Sequence, residues 1–316
     1  MIATLCKTSE QNLSAYFISL TLKLLKMTRE EFLQCGDLDF TVSKKNLYLY
    51  DTLYDDDYNS IPFYCTVNDK TSIALGPVRK QYTVMQNDVL LDMILDKLED
   101  GSYDLEQSRC GQFSGGKKIY FFIKLNGEDV FGDDKIDKYL YALSSHDGSQ
   151  RLVFGISTRM HSCSNMFSIL MSNKDNTHVI KHTKQVEQIN TDKINEMINR
   201  NMVGLKKLYT KLSEHEPSED LINKTADIIA SSKLKKIPKK TAARREELMQ
   251  CIRYEMESKG NTYYGLFNGV TSYLTHNYRT NWSTDYEMLT GNSNRYSNKV
   301  LNLLVKDLID KGISLN

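Results

Sequence analysis

Between Tyr139 and Met171 the chain reads YLYALSSHDGSQRLVFGISTRMHSCSNMFSILM, and this order of local signals constrains the fold more than any other stretch. Tyr139 to Leu143 alternates large and small side chains, as a strand does. Asp147-Gly148 offers the positive φ of a tight turn, flanked by Ser145, His146 and Ser149. Arg151 to Thr158 is β-prone and forms the returning strand of a hairpin. Ser162 to Asn165 then supplies several helix N-caps ahead of the apolar run MFSILM. Strand, turn, strand and capped helix predict an α+β fold. The expected core is a twisted, mainly antiparallel sheet within residues 75 to 160 with helices on one face, followed by a helical C-terminal region.

The remaining segments divide the chain into three parts. Residues 1–70 read as an N-terminal helix over 9–35, with Thr28 as an internal N-cap, and a tyrosine-rich β arm from Asp39 to Thr66. Residues 71–185 form the α+β core with the hairpin. Here Val78 to Val84 reads as a strand, Gln86-Asn87-Asp88 caps a helix ending at Gly101, and Gly115-Gly116 turns into a strand ending at Leu125. Asn126 to Lys138 reads as a polar loop. Residues 186–316 are helical by apolar spacing, with starts near Pro217, Thr241, Thr262 and Asn298.

Composition narrows the function classes. Charged residues make up 26% of the chain and no apolar run reaches membrane-spanning length, so a soluble globular protein is expected. The first residues lack the basic start of a secretory signal. Six cysteines stand singly, without the C-x-x-C spacing of a zinc or redox motif, which fits reduced thiols in a cytoplasm. With a net charge of +1, nucleic-acid binding would have to rest on local distribution, as in Lys233 to Arg245, which holds seven basic residues and no acidic one.

Four segments resemble the family called domain of unknown function 932, the phage/plasmid-like proteins. They are LGPVRKQYTVMQN (Leu75 to Asn87), SGGKKIYFFIKL (Ser114 to Leu125), SSHDGSQRLVFGISTRMHSCSN (Ser144 to Asn165) and KHT (Lys181 to Thr183). YYGLFNGVTSYLTHNYR (Tyr263 to Arg279) is similar to that family's closing helix. Where the family commonly carries Val-Val-Cys-x-Asn, this chain has Met160 to Asn165 but keeps Cys163 and Asn165. The resemblance makes Gly76, Gln86, Asn87, Gly116, His146, Asp147, Gly148, Cys163 and Asn165 structural motif positions. More distantly, the element order is similar to phage single-strand annealing proteins of the RecT, Redβ and Erf kind. That implies a homo-oligomeric ring or filament that pairs complementary DNA strands without ATP in the cytoplasm of a bacterial host cell, beside other phage recombination proteins. No cofactor, metal or membrane is implied.

Under this reading Arg79, Lys80, Lys117, Lys118, Arg151 and Arg159 neutralise phosphates, and Tyr82 stacks or positions a base. The plainer reading of the same cations is solvated strand edges. Ser145, His146, Asp147 and Ser149 could be taken for catalytic groups, but turn residues of these types ordinarily bond their own backbone. His178 and His182 have helical ligand spacing without the glutamate of H-E-x-x-H. Two other classes stay open: a host-interaction, anti-defence protein that binds a protein partner, and a metal-dependent nuclease, for which Asp55 to Asp57 and Asp133-Asp134 are acidic only by composition.

Overall fold

A computed structural model describes residues 27–50, 58–96, 98, 101–131, 134–160, 166–167, 177–183, 191–230, 239–278, 280–281, 283–289 and 291–314. The part of the expected N-terminal helix before residue 27 lies outside them, as do Cys163 and Asn165. The rest is α+β: two antiparallel sheets followed by a helical C-terminal region.

Helix α1 (Arg29–Cys35) opens with a capping box. Thr28 Oγ1 accepts from the Glu31 amide, and the Glu31 carboxylate accepts from the Thr28 amide. Strands β1 (Val42–Tyr50), β2 (Tyr58–Asn68) and β3 (Ile73–Arg79) form the small sheet in that order, so it draws strands from both sides of residue 70. The strand expected over Val78 to Val84 stops at Arg79, where the Tyr82 amide donates back to the Arg79 carbonyl in a turn. Helix α2 (Asn87–Leu95) ends before Gly101, capped at Asp96.

The large sheet runs β4 (Tyr103–Phe113), β5 (Lys118–Phe131), β6 (Asp134–Ser145) and β7 (Leu152–Met160). Strand β4 carries no clear alternation, and its register breaks between Asp104 and Arg109. The predicted polar loop 126–138 is instead strand up to Phe131 and again from Asp134. The β5–β6 ladder continues past a bulge between Leu125 and Asp129, and the partly buried ion pair Lys124–Asp137 (3.0 Å) spans the two strands. Polarity misled here because charged residues on neighbouring strands pair with each other.

The outer edge of β7 is covered by two short strands laid end to end. Strand β8 (Met166–Phe167) pairs with Thr158 and Arg159, and β9 (Thr177–Ile180) pairs with Leu152 to Gly155. Met166-Phe167 is therefore not the start of the predicted helix. A short apolar run has no decisive period, and an open strand edge offers it hydrogen-bond partners. His178 likewise sits on a strand, so the helical spacing inferred for His178 and His182 does not exist.

Consecutive residues Ile119 to Ile123 are all buried, so β5 has core on both faces. One face carries Phe121, whose ring lies 6.4 Å from Phe32 of α1. On the other face Tyr120 stacks with Phe113, and Phe113 meets Tyr286 edge-on. The C-terminal helices are α3 (Thr191–Glu214), α4 (Glu219–Ala230), α5 (Lys239–Lys259), α6 (Tyr263–Ser272), α7 (Thr284–Leu289) and α8 (Asn292–Asp310); α3 packs on β5, β7 and β9, and α7 reaches the second face through Tyr286. Helix α6 runs into a single π turn, Tyr273–Asn277. A Cβ at Gly269 would lie 2.3 Å from the Ile252 Cα, so only glycine lets α5 and α6 approach this closely.

Candidate functional site

The β6–β7 loop, residues 146–151, is the point on which the separate motifs converge. Its centre is His146, with no exposed surface. Asn87 fixes its tautomer. The Asn87 Nδ2 donates to the carbonyls of Leu38 (2.9 Å) and Phe40 (3.2 Å), so Oδ1 is the acceptor facing His146 Nε2 at 2.9 Å. Nε2 must then carry the proton, and Nδ1 is a buried acceptor without a partner among the described residues. Burial, with His182 nearby and against the pull of Asp147, lowers the His146 pKa to about 4. The imidazole is neutral at physiological pH.

A second imidazole closes the site. His182 stacks on Tyr82 with ring centroids 5.0 Å apart, and its Nε2 lies 3.3 Å from Ser144 Oγ. Burial pushes its pKa below the usual histidine value, partly opposed by the backbone at Thr83. The Tyr82 hydroxyl donates to the Ser145 carbonyl (2.5 Å), and the His146 amide donates to the Lys117 carbonyl (2.7 Å). Ser145 Oγ accepts from the Gln150 amide and donates to the Gln150 carbonyl, while Asp147 Oδ1 accepts from the Ser149 amide. These groups hold the loop, as turn residues do. Ser144 is wholly buried, so its contact with His182 offers no nucleophile to a substrate.

The glycines and Gln86 complete the frame. A Cβ on Gly76 would lie 2.7 Å from the Asp147 Cβ, so β3 can touch the loop only at glycine. Gly148 (φ +72°) turns the loop over Val78 and Tyr82, and Gly116 (φ +90°) lies against Phe40 and Asn68. Gln86 occupies the N-cap position of α2, but its side chain makes no cap bond. It pairs with both the amide and the carbonyl of Val42, as a strand residue would. Of the structural motif positions expected from sequence, Gly76, Gln86, Asn87, Gly116, His146, Asp147 and Gly148 thus gather at one end of the large sheet.

The expected phosphate contacts divide. Arg79 and Lys80 are exposed at the end of β3. Lys118 stands opposite Ser145, with Lys117 beside it, and Arg151 is exposed at the other end of the loop. Arg159 is eight residues further along β7, about 26 Å away at roughly 3.3 Å per residue, and does not belong to this group. Tyr82 is committed by its hydroxyl bond and its stacking on His182. The aromatic that sequence reading missed is Phe63, 43% exposed and directly opposite Arg79 on β2. Its alternation on a tyrosine-rich arm was visible, but its outward direction depends on which face the small sheet buries. Phe63, Arg79, Gln81, Tyr82, Gly148 and His182 line a groove of about 370 Å³, with Asp147 on its wall.

In the basic run, Arg245 bonds Asp227 (3.2 Å) and Asn223 (2.9 Å) and so ties α5 to α4. Among the described residues no group of three or more His, Cys, Asp or Glu side chains is placed to hold a metal ion, and no helix is long and apolar enough to cross a membrane.

The chain matches the family described as Domain of unknown function (DUF932) over residues 74–299. It belongs to that family, and the matched span contains the whole β6–β7 loop with Gly76, Tyr82, Gln86, Asn87 and His182, whereas Leu38, Phe40, Val42 and Phe63 precede it. Neither the curated proteins nor the solved structures contain a significant match.

Proposed function

We propose that this end of the protein binds single-stranded DNA, and that the protein acts in phage or plasmid recombination as a homo-oligomer that pairs complementary strands without ATP. One observation carries the reading: Phe63 stands exposed opposite Arg79 at the mouth of a groove, with Lys80 next along the chain. A solvent-facing ring beside a guanidinium is the elementary unit of sequence-tolerant strand binding, base stacking with phosphate neutralisation. Lys80, Lys117 and Lys118 add cations around the same loop. Lys44 is held elsewhere, donating to the carbonyls of Lys80 (2.9 Å) and Tyr82 (3.0 Å) and fixing the turn that presents Arg79.

Fluorescence anisotropy with a labelled single strand and the corresponding duplex, at low and moderate salt, tests this. The expected result is preference for the single strand, affinity that falls steeply with salt, and roughly tenfold weaker binding for Phe63→Ala, since a stacked base contributes about 1–3 kcal/mol. Absence of binding at low salt would overturn the proposal. A protein-binding role is favoured by a different observation, the exposure of Tyr48 and Ile73 (54% each) on the same small sheet. Its mark would be a partner captured without dependence on salt.

A further inference from the structure

The β6–β7 loop has two sides, and only one faces the Phe63 groove. On the other, Ser149, Gln150 and Arg151 form the wall of a separate cleft of about 660 Å³ between the β7–β9 edge and helix α8. Helix α8 presents Asn294, Arg295, Asn298, Lys299 and Asn302 to it, residues repeating at four-residue intervals along one face. Val153 and the exposed Val179 supply an apolar patch. Among the described residues, three cations line this cleft and no carboxylate does.

The amide network fixes what the cleft asks of a ligand. Asn294 Nδ2 donates to the Leu289 carbonyl (2.7 Å), so its Oδ1 accepts from Asn298 Nδ2 (2.6 Å). Asn298 Oδ1 is left as an acceptor. It is buried and has no partner among the described residues, so the amide on this face that a ligand can reach is the exposed Asn302. We infer that this cleft is a nucleotide site, in which Arg151, Arg295 and Lys299 hold a phosphate, the valines contact a base face, and the exposed Asn302 amide hydrogen-bonds the edge of the base. A bare anion meets only the first of these three features, whereas a nucleotide meets all of them. The volume lies within the roughly 300–1,000 Å³ usual for small-ligand sites.

The inference does not depend on the Phe63 groove, and its test separates the two. Isothermal titration calorimetry on the full chain would use the four deoxynucleoside 5′-monophosphates, the matching nucleosides, inorganic phosphate and a short single strand. At least one monophosphate should bind roughly tenfold or more tighter than inorganic phosphate or its nucleoside. Arg151→Ala and Lys299→Ala, both exposed positions with little effect on folding, should each weaken it about tenfold, as loss of a charge-assisted hydrogen bond does. Equal affinity for inorganic phosphate would overturn the inference, as would no monophosphate binding or indifference to both substitutions. If monophosphates bind and the strand does not, the cleft stands as a free-nucleotide site and the single-strand proposal fails. If the strand binds through Phe63 while monophosphates do not bind, the reverse holds.

Discussion

Asn87 and His146, 59 residues apart, share a buried 2.9 Å hydrogen bond that fastens the first turn of helix α2 to the β6–β7 loop. The same amide also satisfies the carbonyls of Leu38 and Phe40, so one side chain joins the N-terminal segment, α2 and the large sheet. Asn87→Ala would strand an imidazole N–H and two carbonyls in the interior. Each buried unsatisfied group costs about 1–3 kcal/mol, so a loss of roughly 2–4 kcal/mol is expected, read as a lower urea midpoint. An unchanged midpoint would show that the loop is held by other contacts.

Stability should also depend on pH through this pair. The folded-state pKa of His146 is depressed to about 4 against an ordinary value of 6.5, so the unfolded chain binds the proton more readily. The contribution is fully present above pH 6.5 and is lost as pH falls from there toward 4. At about 1.4 kcal/mol per unit it amounts to roughly 3 kcal/mol. Burial of His182 acts in the same direction. Thermal unfolding of the parent and of His146→Gln across pH 4 to 7.5 would measure it. The variant should be less stable at pH 7 and show a shallower acid slope.

Two glycine substitutions should act in opposite directions. Gly269→Ala would place a methyl group 2.3 Å from the Ile252 backbone and should cost several kcal/mol, because helix α5 must move to admit it. Gly204 lies exposed in α3 with open space where a methyl group would stand, and Gly204→Ala should raise stability by about 0.5–1 kcal/mol through helix propensity. Melting temperatures of the two variants moving the same way would contradict the packing described for α5 and α6.

The position of Arg159 separates the proposed binding surface from a general effect of charge. Arg79→Ala and Arg159→Ala remove the same charge, but only Arg79 stands beside Phe63. Single-strand affinity should fall about threefold to tenfold in the first variant and stay within about twofold of the parent in the second. Equal losses in both would place the strand elsewhere.

The hairpin, the Thr28 capping box, the start of α4 at Pro217 and the helical C-terminal region are set by neighbours along the chain. A period, a cap and a turn residue suffice to specify them, so they are legible in the order of residues alone. Residues 126–138 and Met166-Phe167 are not, because a polar or short apolar segment becomes a strand only when a partner edge supplies its hydrogen bonds. The family motifs named most of the residues around the loop, but not their arrangement. Phosphate contacts read as one set separate because Arg151 and Arg159 lie at opposite ends of a single strand. Tyr82 turns inward onto His182, Phe63 turns outward, and Asn298 acquires an unsatisfied acceptor only when Asn294 is committed to Leu289. Local order therefore settles which elements form and which side chains are on hand. Which of them are used up in holding the fold, and which are left facing a ligand, is settled by folding, because hydrogen-bond partners and burial come from residues distant in the chain.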